Sequence, residues 1–247
     1  EMFLPARKAQ HIDGDFLYPR GGYGRIVDRL VESLPETSLR PGAEVGGVGP
    51  RPRPPDNPPM TSPALDRFIT EAAARTRAHS LAADRVLALA PLLLDLIEEA
   101  ASFLEPQHYR SDPDGYTRNL IRDDPDHGLS LYALVWRPGQ WTPVHDHGSW
   151  GVVGIVEGVL EERSYLRVSP EGGDQDIDLV RGGLQLLTRG AVTSFVPNPD
   201  HIHVTGVPVE RAQAVSLHLY GRTMKDFNIY DVAARTRRRV QVAHNES

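Results

Sequence analysis

Residues 143–158 read "PVHDHGSWGVVGIVEG", and this stretch decides the fold. Its second half is a short run of β-branched residues bounded by glycine, which is typical of a strand. Similar runs occupy residues 129–136, 159–168, 184–189, 192–196 and 212–220, separated by Gly, Pro and Asp. Because no helix-length periodic segment intervenes, the pattern predicts a β-sandwich or barrel rather than a parallel sheet with crossover helices.

The part of the chain before these strands has a different character. Residues 61–104 predict a helical region, with a Ser/Thr cap and Pro63 at its start and a second helix at roughly 82–103. Residues 41–59 contain seven prolines and four glycines and are typical of a linker, and residues 24–34 predict an amphipathic helix. We therefore predict an N-terminal extension at 1–59 and one domain at 60–247.

Composition excludes several function classes. The net charge of −6 disfavours nucleic acid and anionic membranes as partners, and we interpret the basic run at 234–240 as a solvated C-terminal segment. The sequence contains no cysteine, which excludes disulfides, thiolate ligands and cysteine nucleophiles and fits a cytoplasmic location. The longest apolar run, at 86–94, is too short to span a bilayer, and the N-terminus lacks the apolar core of a signal peptide.

Two pairs of histidines lie in the β region. Residues i and i+2 of a strand point to the same face, so His145 and His147 should project together, and so should His201 and His203. A single pair of this kind is explained as well by ordinary core or surface histidines as by a metal site. A second pair in the same region favours a metal site, because imidazole is the commonest protein metal ligand.

The run "AVSLHLY" at 214–220 combines an apolar and a polar face. Alternation places Ser216, His218 and Tyr220 on one face, where they could form a hydrogen-bonded chain. The alternative is the polar outer face of an edge strand.

Together these segments resemble the cysteine dioxygenase family, the cupin-fold thiol dioxygenases, in its bacterial form. The first cupin motif is matched by Gly139, His145, His147 and Gly158, and three further segments are similar to family segments: "GYTRNLI" at 115–121, "HIHVTGV" at 201–207 and "SLHLYG" at 216–221. The resemblance spans roughly residues 62–230. It implies a mainly β fold, a cupin (double-stranded β-helix, jelly-roll barrel), with an N-terminal helical region.

The resemblance also implies the metal site. His145, His147 and His203 would bind Fe(2+), with His201 as the alternative to His203. Gly151 lies where most cupins have a ligand carboxylate, as in the three-histidine members of the family. Animal members join a cysteine of this region to the active-site tyrosine, and that cross-link cannot form in a chain without cysteine.

The remaining roles follow from the same resemblance. Arg118, with Tyr116 beside it, would bind the substrate carboxylate, and Tyr220 would hydrogen-bond that carboxylate or the reacting oxygen. His218 and Ser216 would orient Tyr220. The implied enzyme is a thiol dioxygenase that converts L-cysteine into cysteine sulfinic acid. We expect a monomer whose partners are a small thiol and O2, with no nucleic acid and no membrane.

Two alternatives stay open from the sequence. One is a dioxygenase for 3-mercaptopropionate or another thiol acid, although enzymes of that kind tend to have glutamine where this chain has Arg118. The other is a metal-binding cupin without oxygenase activity, which would need neither Arg118 nor the polar face of 214–220. Three imidazoles accept iron, nickel, zinc or copper, so the ligand set leaves the metal undecided.

Residues 1–46 resemble a different family. Their segment "YPRGGYGRIVDRLVES" at 18–33 is similar to an internal fragment of flavin-dependent amine oxidases, without the glycine-rich nucleotide-binding motif of that family. This piece is not expected to bind flavin alone. Our hypothesis is that residues 1–59 are a gene-fusion remnant or a start-site artefact.

Overall fold

A computed structural model describes residues 62–170, 172–197 and 201–241. The predicted helix at 24–34, the predicted linker at 41–59, the resemblance at 1–46 and the boundary between 59 and 60 lie outside the described residues.

Two helices open the described part of the chain. Helix α1 spans Pro63–Ala78 and α2 spans Ala82–Glu98, followed by single 3-10 turns at Ala100–Ser102 and Pro106–Tyr109. Pro63 occupies the first turn of α1, where its missing N–H leaves no hydrogen bond unmade. The predicted helical region is confirmed, but α2 ends before residue 103 because the chain tightens into the first 3-10 turn.

The rest of the described chain forms short strands. In chain order they are β1 (Thr117–Asp124), β2 (Leu129–Trp136), β3 (Val144–His145), β4 (Gly151–Glu157), β5 (Val159–Arg167), β6 (Leu179–Thr188), β7 (Val192–Phe195), β8 (Ile202–Gly206), β9 (Ala214–Tyr220), β10 (Asp226–Asp231) and β11 (Thr236–Gln241).

These strands build two antiparallel sheets. One has the order β1-β2-β9-β4-β7 and the other the order β11-β10-β3-β8-β5-β6. From β3 to β10 the chain passes repeatedly from one sheet to the other, which is the connectivity of a double-stranded β-helix. The predicted mainly β cupin fold with N-terminal helices is confirmed.

Strands β2 and β9 pair in the middle of the five-stranded sheet, with Tyr132 opposite His218. Their odd-numbered residues join the core that packs against α1 and α2, among them Leu131 and Leu217. Their even-numbered residues face the other way, and Tyr132 and Tyr220 join a second core with side chains of the other sheet. The polar face predicted for 214–220 is therefore an interior face, not the outer face of an edge strand.

Three strands lie where the sequence predicted none. Strand β1 contains the segment around Arg118, and β10 and β11 follow the last predicted run. The basic run at 234–240 is not a simple solvated segment, because β11 pairs with β10 along its length. Its arginines are partly neutralised: Arg237 Nε donates to Asp174 Oδ1 at 2.8 Å, and Arg239 Nη2 donates to Asp226 Oδ1 at 2.7 Å.

Within the ranges that the structure describes, neither helix has the length and apolar character needed to cross a membrane.

Candidate metal centre

Three buried histidines converge between the two sheets. His145 ends β3, His203 lies opposite it in β8, and His147 follows two residues after His145. Their ring centroids are 4.6–5.0 Å apart, and one nitrogen from each lies within 4.8 Å of the other two. The strand predicted for both His145 and His147 is shorter than expected, since β3 ends at His145 and Gly148 turns the backbone at a φ of 54°.

The three imidazoles are in the neutral form that a metal requires. Burial lowers the pKa of His145 and His147 well below its usual range, and the neighbouring histidines lower it further. Burial also lowers the pKa of His203, against the opposing effect of Glu162. A cluster of neutral nitrogen donors at this spacing suits a divalent transition metal.

In His145 and His203, a hydrogen bond at Nδ1 determines which ring nitrogen is free to bind a metal. His145 Nδ1 lies 3.0 Å from the carbonyl oxygen of Pro143 and donates to it, which leaves Nε2 as the lone-pair nitrogen. His203 Nδ1 lies 3.1 Å from Glu162 Oε2. The buried Nε2 of His203 has no hydrogen-bond partner among the described residues. An orphaned buried nitrogen is explained if it faces a metal ion.

Glu162 is the residue of this site that the sequence analysis missed. Its side chain is 6% exposed, and hydrogen bonds to His201 and His203 keep its pKa below the usual range although burial opposes this. A carboxylate behind a ligating histidine fixes the ring and makes it a better donor. Alternation along β5 could have identified Glu162, because Leu160 two residues earlier is a core residue.

His201 lies beside the three-histidine cluster and outside it. Its Nε2 is 3.3 Å from His203 Nδ1 and 3.4 Å from Glu162 Oε1, so it joins a second grouping with these two residues. Its ring stacks on Phe195 at 5.3 Å between centroids. The structure thus brings His203, and not His201, together with His145 and His147.

Phe195 fills the space opposite Gly151. Its ring stacks on His147 with centroids 4.2 Å apart, and a Cβ atom at position 151 would collide with that ring. A carboxylate side chain at Gly151 would therefore have to displace Phe195. The sequence predicted that position 151 supplies no ligand. The structure adds that the ring of Phe195 occupies the space that a ligand side chain would need, which the sequence did not reveal.

Asp146, between the two histidines of the pair, anchors this loop to β10. It accepts hydrogen bonds from Asn228 Nδ2 at 2.9 Å and from the hydroxyl of Tyr230 at 2.7 Å. The three residues hold the backbone of the pair in place, so that both imidazoles point inwards.

The histidines line a cavity that also contains a buried arginine. Arg118, in β1, is 7% exposed, and its guanidinium lies 5.0 Å from the ring centroid of Tyr132. In the described part of the chain, Arg118 Nε and Nη2 have no hydrogen-bond partner. Tyr116 lines the same cavity, and burial raises the pKa of its hydroxyl. A buried cation with unused donors is suited to an anionic ligand.

The predicted polar chain on β9 borders the same cavity. Ser216 Oγ lies 2.9 Å from His218 Nε2, and His218 Nδ1 lies 3.1 Å from the hydroxyl of Tyr220. Burial, followed by the charge of Arg118, lowers the pKa of His218 to about 3. Burial raises the pKa of Tyr220 above its usual range. Both groups are therefore neutral near pH 7 and can serve as hydrogen-bond donors and acceptors.

Solved structures that are similar to parts of this chain include the following three. A protein from Thermus thermophilus is 16% identical over 45% of this chain and 87% of its own, with a TM-score of 0.33. A cupin-like protein from Thermotoga maritima is 15% identical over 47% of this chain and 79% of its own, with a TM-score of 0.33. An RmlC-like cupin protein from Desulfovibrio desulfuricans is 16% identical over 46% of this chain and 90% of its own, with a TM-score of 0.31.

The family model for cysteine dioxygenase type I matches residues 100–233, more than half of the chain. The matched range includes all eight residues predicted for the site, from Tyr116 to Tyr220. The resemblance drawn from the sequence motifs is thereby confirmed. This chain belongs to the cysteine dioxygenase type I family and is an enzyme of the thiol dioxygenase kind.

Proposed function

We propose that this chain is a non-haem iron(II) dioxygenase that oxidises L-cysteine to cysteine sulfinic acid. The observation that carries the proposal is the position of Arg118. Among the described residues, Nε and Nη2 of its buried guanidinium have no hydrogen-bond partner. Arg118 lines the same cavity as His145, His147 and His203. Such a pair of sites matches a substrate with a carboxylate at one end and a metal-binding thiol at the other.

Each part of the cavity has a stated task in this proposal. His145, His147 and His203 hold the iron, and Glu162 orients His203. The bound iron would activate O2 and lower the pKa of the thiol. Arg118 binds the substrate carboxylate through two parallel N–H bonds, which fixes where the sulfur lies. In the overall reaction two sulfur–oxygen bonds form, the oxygen–oxygen bond breaks and the thiol proton is released.

Tyr220, His218 and Ser216 act on the bound substrate from β9. The hydroxyl of Tyr220 faces the cavity that contains Arg118, so both can bond to one carboxylate. His218 and Ser216 keep that hydroxyl in position. Aromatic and aliphatic side chains complete the wall and limit water near the reacting sulfur: Leu134, Val153, Phe195, Met224 and Phe227.

A second candidate substrate is 3-mercaptopropionate, which has a carboxylate and a thiol but no amine. The observation in its favour is that the cavity wall, within the described residues, contains no carboxylate to pair with an ammonium group. Cysteine would have to bind with its amine neutral, on the metal. Arg118 can bind the carboxylate of either substrate, so the preference for L-cysteine rests on the family resemblance at this position, where enzymes for 3-mercaptopropionate tend to have glutamine.

The test uses the full chain, loaded with iron(II) under anaerobic conditions. The loaded protein is then mixed with O2 and a thiol, and oxygen consumption is measured. We expect L-cysteine to give a sulfinate that contains both atoms of ¹⁸O₂, as measured by mass spectrometry. Cysteamine, which lacks the carboxylate, should react poorly because it makes no bond to Arg118. Faster turnover of 3-mercaptopropionate would select the second candidate, and no sulfinate from any of these thiols would contradict the proposal.

A further inference from the structure

Trp136, the last residue of β2, is bound to the polar chain of β9. Its indole Nε1 donates to Ser216 Oγ at 2.9 Å, and both residues are completely buried. Tyr116 stacks on the indole with centroids 4.5 Å apart and planes inclined by 17°, which holds the ring in its plane. An indole N–H can donate a hydrogen bond but cannot accept one, so this contact has a fixed direction.

The direction of the hydrogen bond from Trp136 to Ser216 determines the direction of the next one, between Ser216 and His218. Ser216 Oγ accepts from Trp136 and still has one hydrogen of its own to donate. Among the described residues, the only acceptor that the structure places near this hydroxyl is His218 Nε2, at 2.9 Å. A buried hydroxyl hydrogen is rarely left without an acceptor, and the Ser216 hydroxyl therefore donates to Nε2.

The second bond determines the third. A neutral imidazole carries one hydrogen, and with Nε2 accepting, that hydrogen is on Nδ1. His218 Nδ1 then donates to the Tyr220 hydroxyl oxygen at 3.1 Å, and the Tyr220 hydrogen is free to point into the cavity. We infer that Trp136 is a positioning residue, which fixes His218 as its Nδ1–H tautomer and so presents the Tyr220 hydroxyl as a hydrogen-bond donor to an anion.

The opposite direction of the hydrogen bonds between Ser216, His218 and Tyr220 is less favourable, both at Ser216 and at Tyr220. Tyr220 would donate to His218 Nδ1, and His218 Nε2 would donate to a Ser216 oxygen that already accepts from Trp136. The Ser216 hydrogen would then have no acceptor in the described interior. At the other end Tyr220 would offer a lone pair, rather than a hydrogen, to a carboxylate.

This inference deepens the role proposed for Tyr220 and rests on the proposed function only for the identity of the anion. The tautomer of His218 is a property of the chain itself, and it can be measured without metal, thiol or O2. A failure of the inference is therefore distinguishable from a failure of thiol oxidation.

The experiment is NMR spectroscopy of the metal-free full chain labelled with ¹⁵N in histidine. Two-bond correlations between ring hydrogens and nitrogens identify which nitrogen of a neutral imidazole is protonated. In the unaltered chain we expect His218 to be protonated on Nδ1. In Trp136→Phe, which keeps an aromatic ring but lacks the N–H, we expect a mixture of both tautomers.

Two further variants separate the hydrogen bond from packing. Trp141→Phe makes the same substitution at a ring that stacks on Arg163 instead, and should keep the pure Nδ1–H form. Ser216→Ala removes the hydroxyl that connects Trp136 to His218, and should also give a mixture of tautomers. It keeps the inference testable if Trp136→Phe folds poorly. Protonation of Nε2 in the unaltered chain would overturn the inference. An unchanged tautomer in folded Trp136→Phe, an unchanged tautomer in Ser216→Ala, or a mixture in Trp141→Phe would each overturn it as well.

Discussion

The two faces of the five-stranded sheet perform different tasks. The face of β2 and β9 towards α1 and α2 is built from Leu131, Val135, Leu217 and similar apolar side chains, all without exposure to solvent. The opposite face of the same strands presents Trp136, His218 and Tyr220 to the cavity, and Ser216 is hydrogen-bonded between Trp136 and His218. One alternating pattern thus separates packing from chemistry at every second residue.

The difference between the faces lies in what a substitution removes. On the helix face a truncated side chain leaves a void in an apolar core and acts on stability. On the cavity face the polar groups are buried too, but each has a defined partner or faces the site. A change of a polar group there should act first on ligand binding, metal binding or proton positions.

The largest effect is expected from His147→Ala. It removes one of three metal ligands, so we expect the purified chain to lose bound metal and sulfinate formation to fall to the background level. Metal content by mass spectrometry is the measurement. The matched control is His201→Ala, at the half-buried histidine outside the cluster, which should keep near-complete metal loading. Full metal content in His147→Ala would show that the site lies elsewhere.

On the helix face, Leu217→Ala should destabilise the fold without changing the site. Leu217 has no exposure to solvent, and Leu→Ala in such a core costs about 2–5 kcal/mol. Urea unfolding gives the loss of stability, and KM per folded, metal-loaded molecule should stay within about twofold of the unaltered chain, since no ligand contact is lost. A large change in KM would mean that the two faces are energetically coupled.

The sequence predicted the two-face pattern of β9 and the convergence of His145 and His147, because both depend on local alternation. It could not decide between His201 and His203. That choice depends on the pairing of β3 with β8, which sets His145 opposite His203, and register between distant strands has no local signal.

Other parts of the site were missed for the same reason. Alternation along β5 places Glu162 on the same face as the core residue Leu160, but its role depends on contact with His203 in a neighbouring strand, which the local pattern does not show. Asn228 and Tyr230 lie in β10, which was not predicted, and their significance comes from contact with Asp146. Trp136 was assigned to a strand, but its bond to Ser216 joins residues that are 80 positions apart in the chain.

Arg118→Ala tests the ligand-binding end of the cavity face. Loss of a charge-assisted, bidentate contact worth about 3 kcal/mol predicts a rise in KM for L-cysteine of roughly 100-fold, with metal content retained. Steady-state kinetics with iron-loaded protein measures this. Arg118→Lys keeps the charge without the paired donors and should recover only part of the loss. An unchanged KM for both variants would rule out a carboxylate contact at this position.

Glu162→Gln tests whether the cavity face depends on groups behind it. Replacing the carboxylate behind a metal-bound histidine should weaken metal binding by about 10–100-fold, because the ring is held less firmly and donates less charge. Competition with a chelator gives the affinity. Glu161→Gln changes the neighbouring residue of the same strand and is the matched control. Equal affinity of Glu162→Gln and the unaltered chain would show that Glu162 has only a structural role.

The last and most gradual effect concerns pH and the buried His218. Its pKa is lowered to about 3 in the folded chain, against about 6.5 when unfolded, so between these values the unfolded state binds the additional proton. Stability contributed by this residue is therefore complete above pH 6.5 and is lost as pH falls towards 3, with a slope of up to about 1.4 kcal/mol per pH unit. His218→Asn removes the titrating group, and urea unfolding of the metal-free chain between pH 7 and 4 should show a shallower loss in the variant. Equal slopes would mean that His218 is protonated in the folded state, and a charged ring could not accept the hydrogen bond from Ser216.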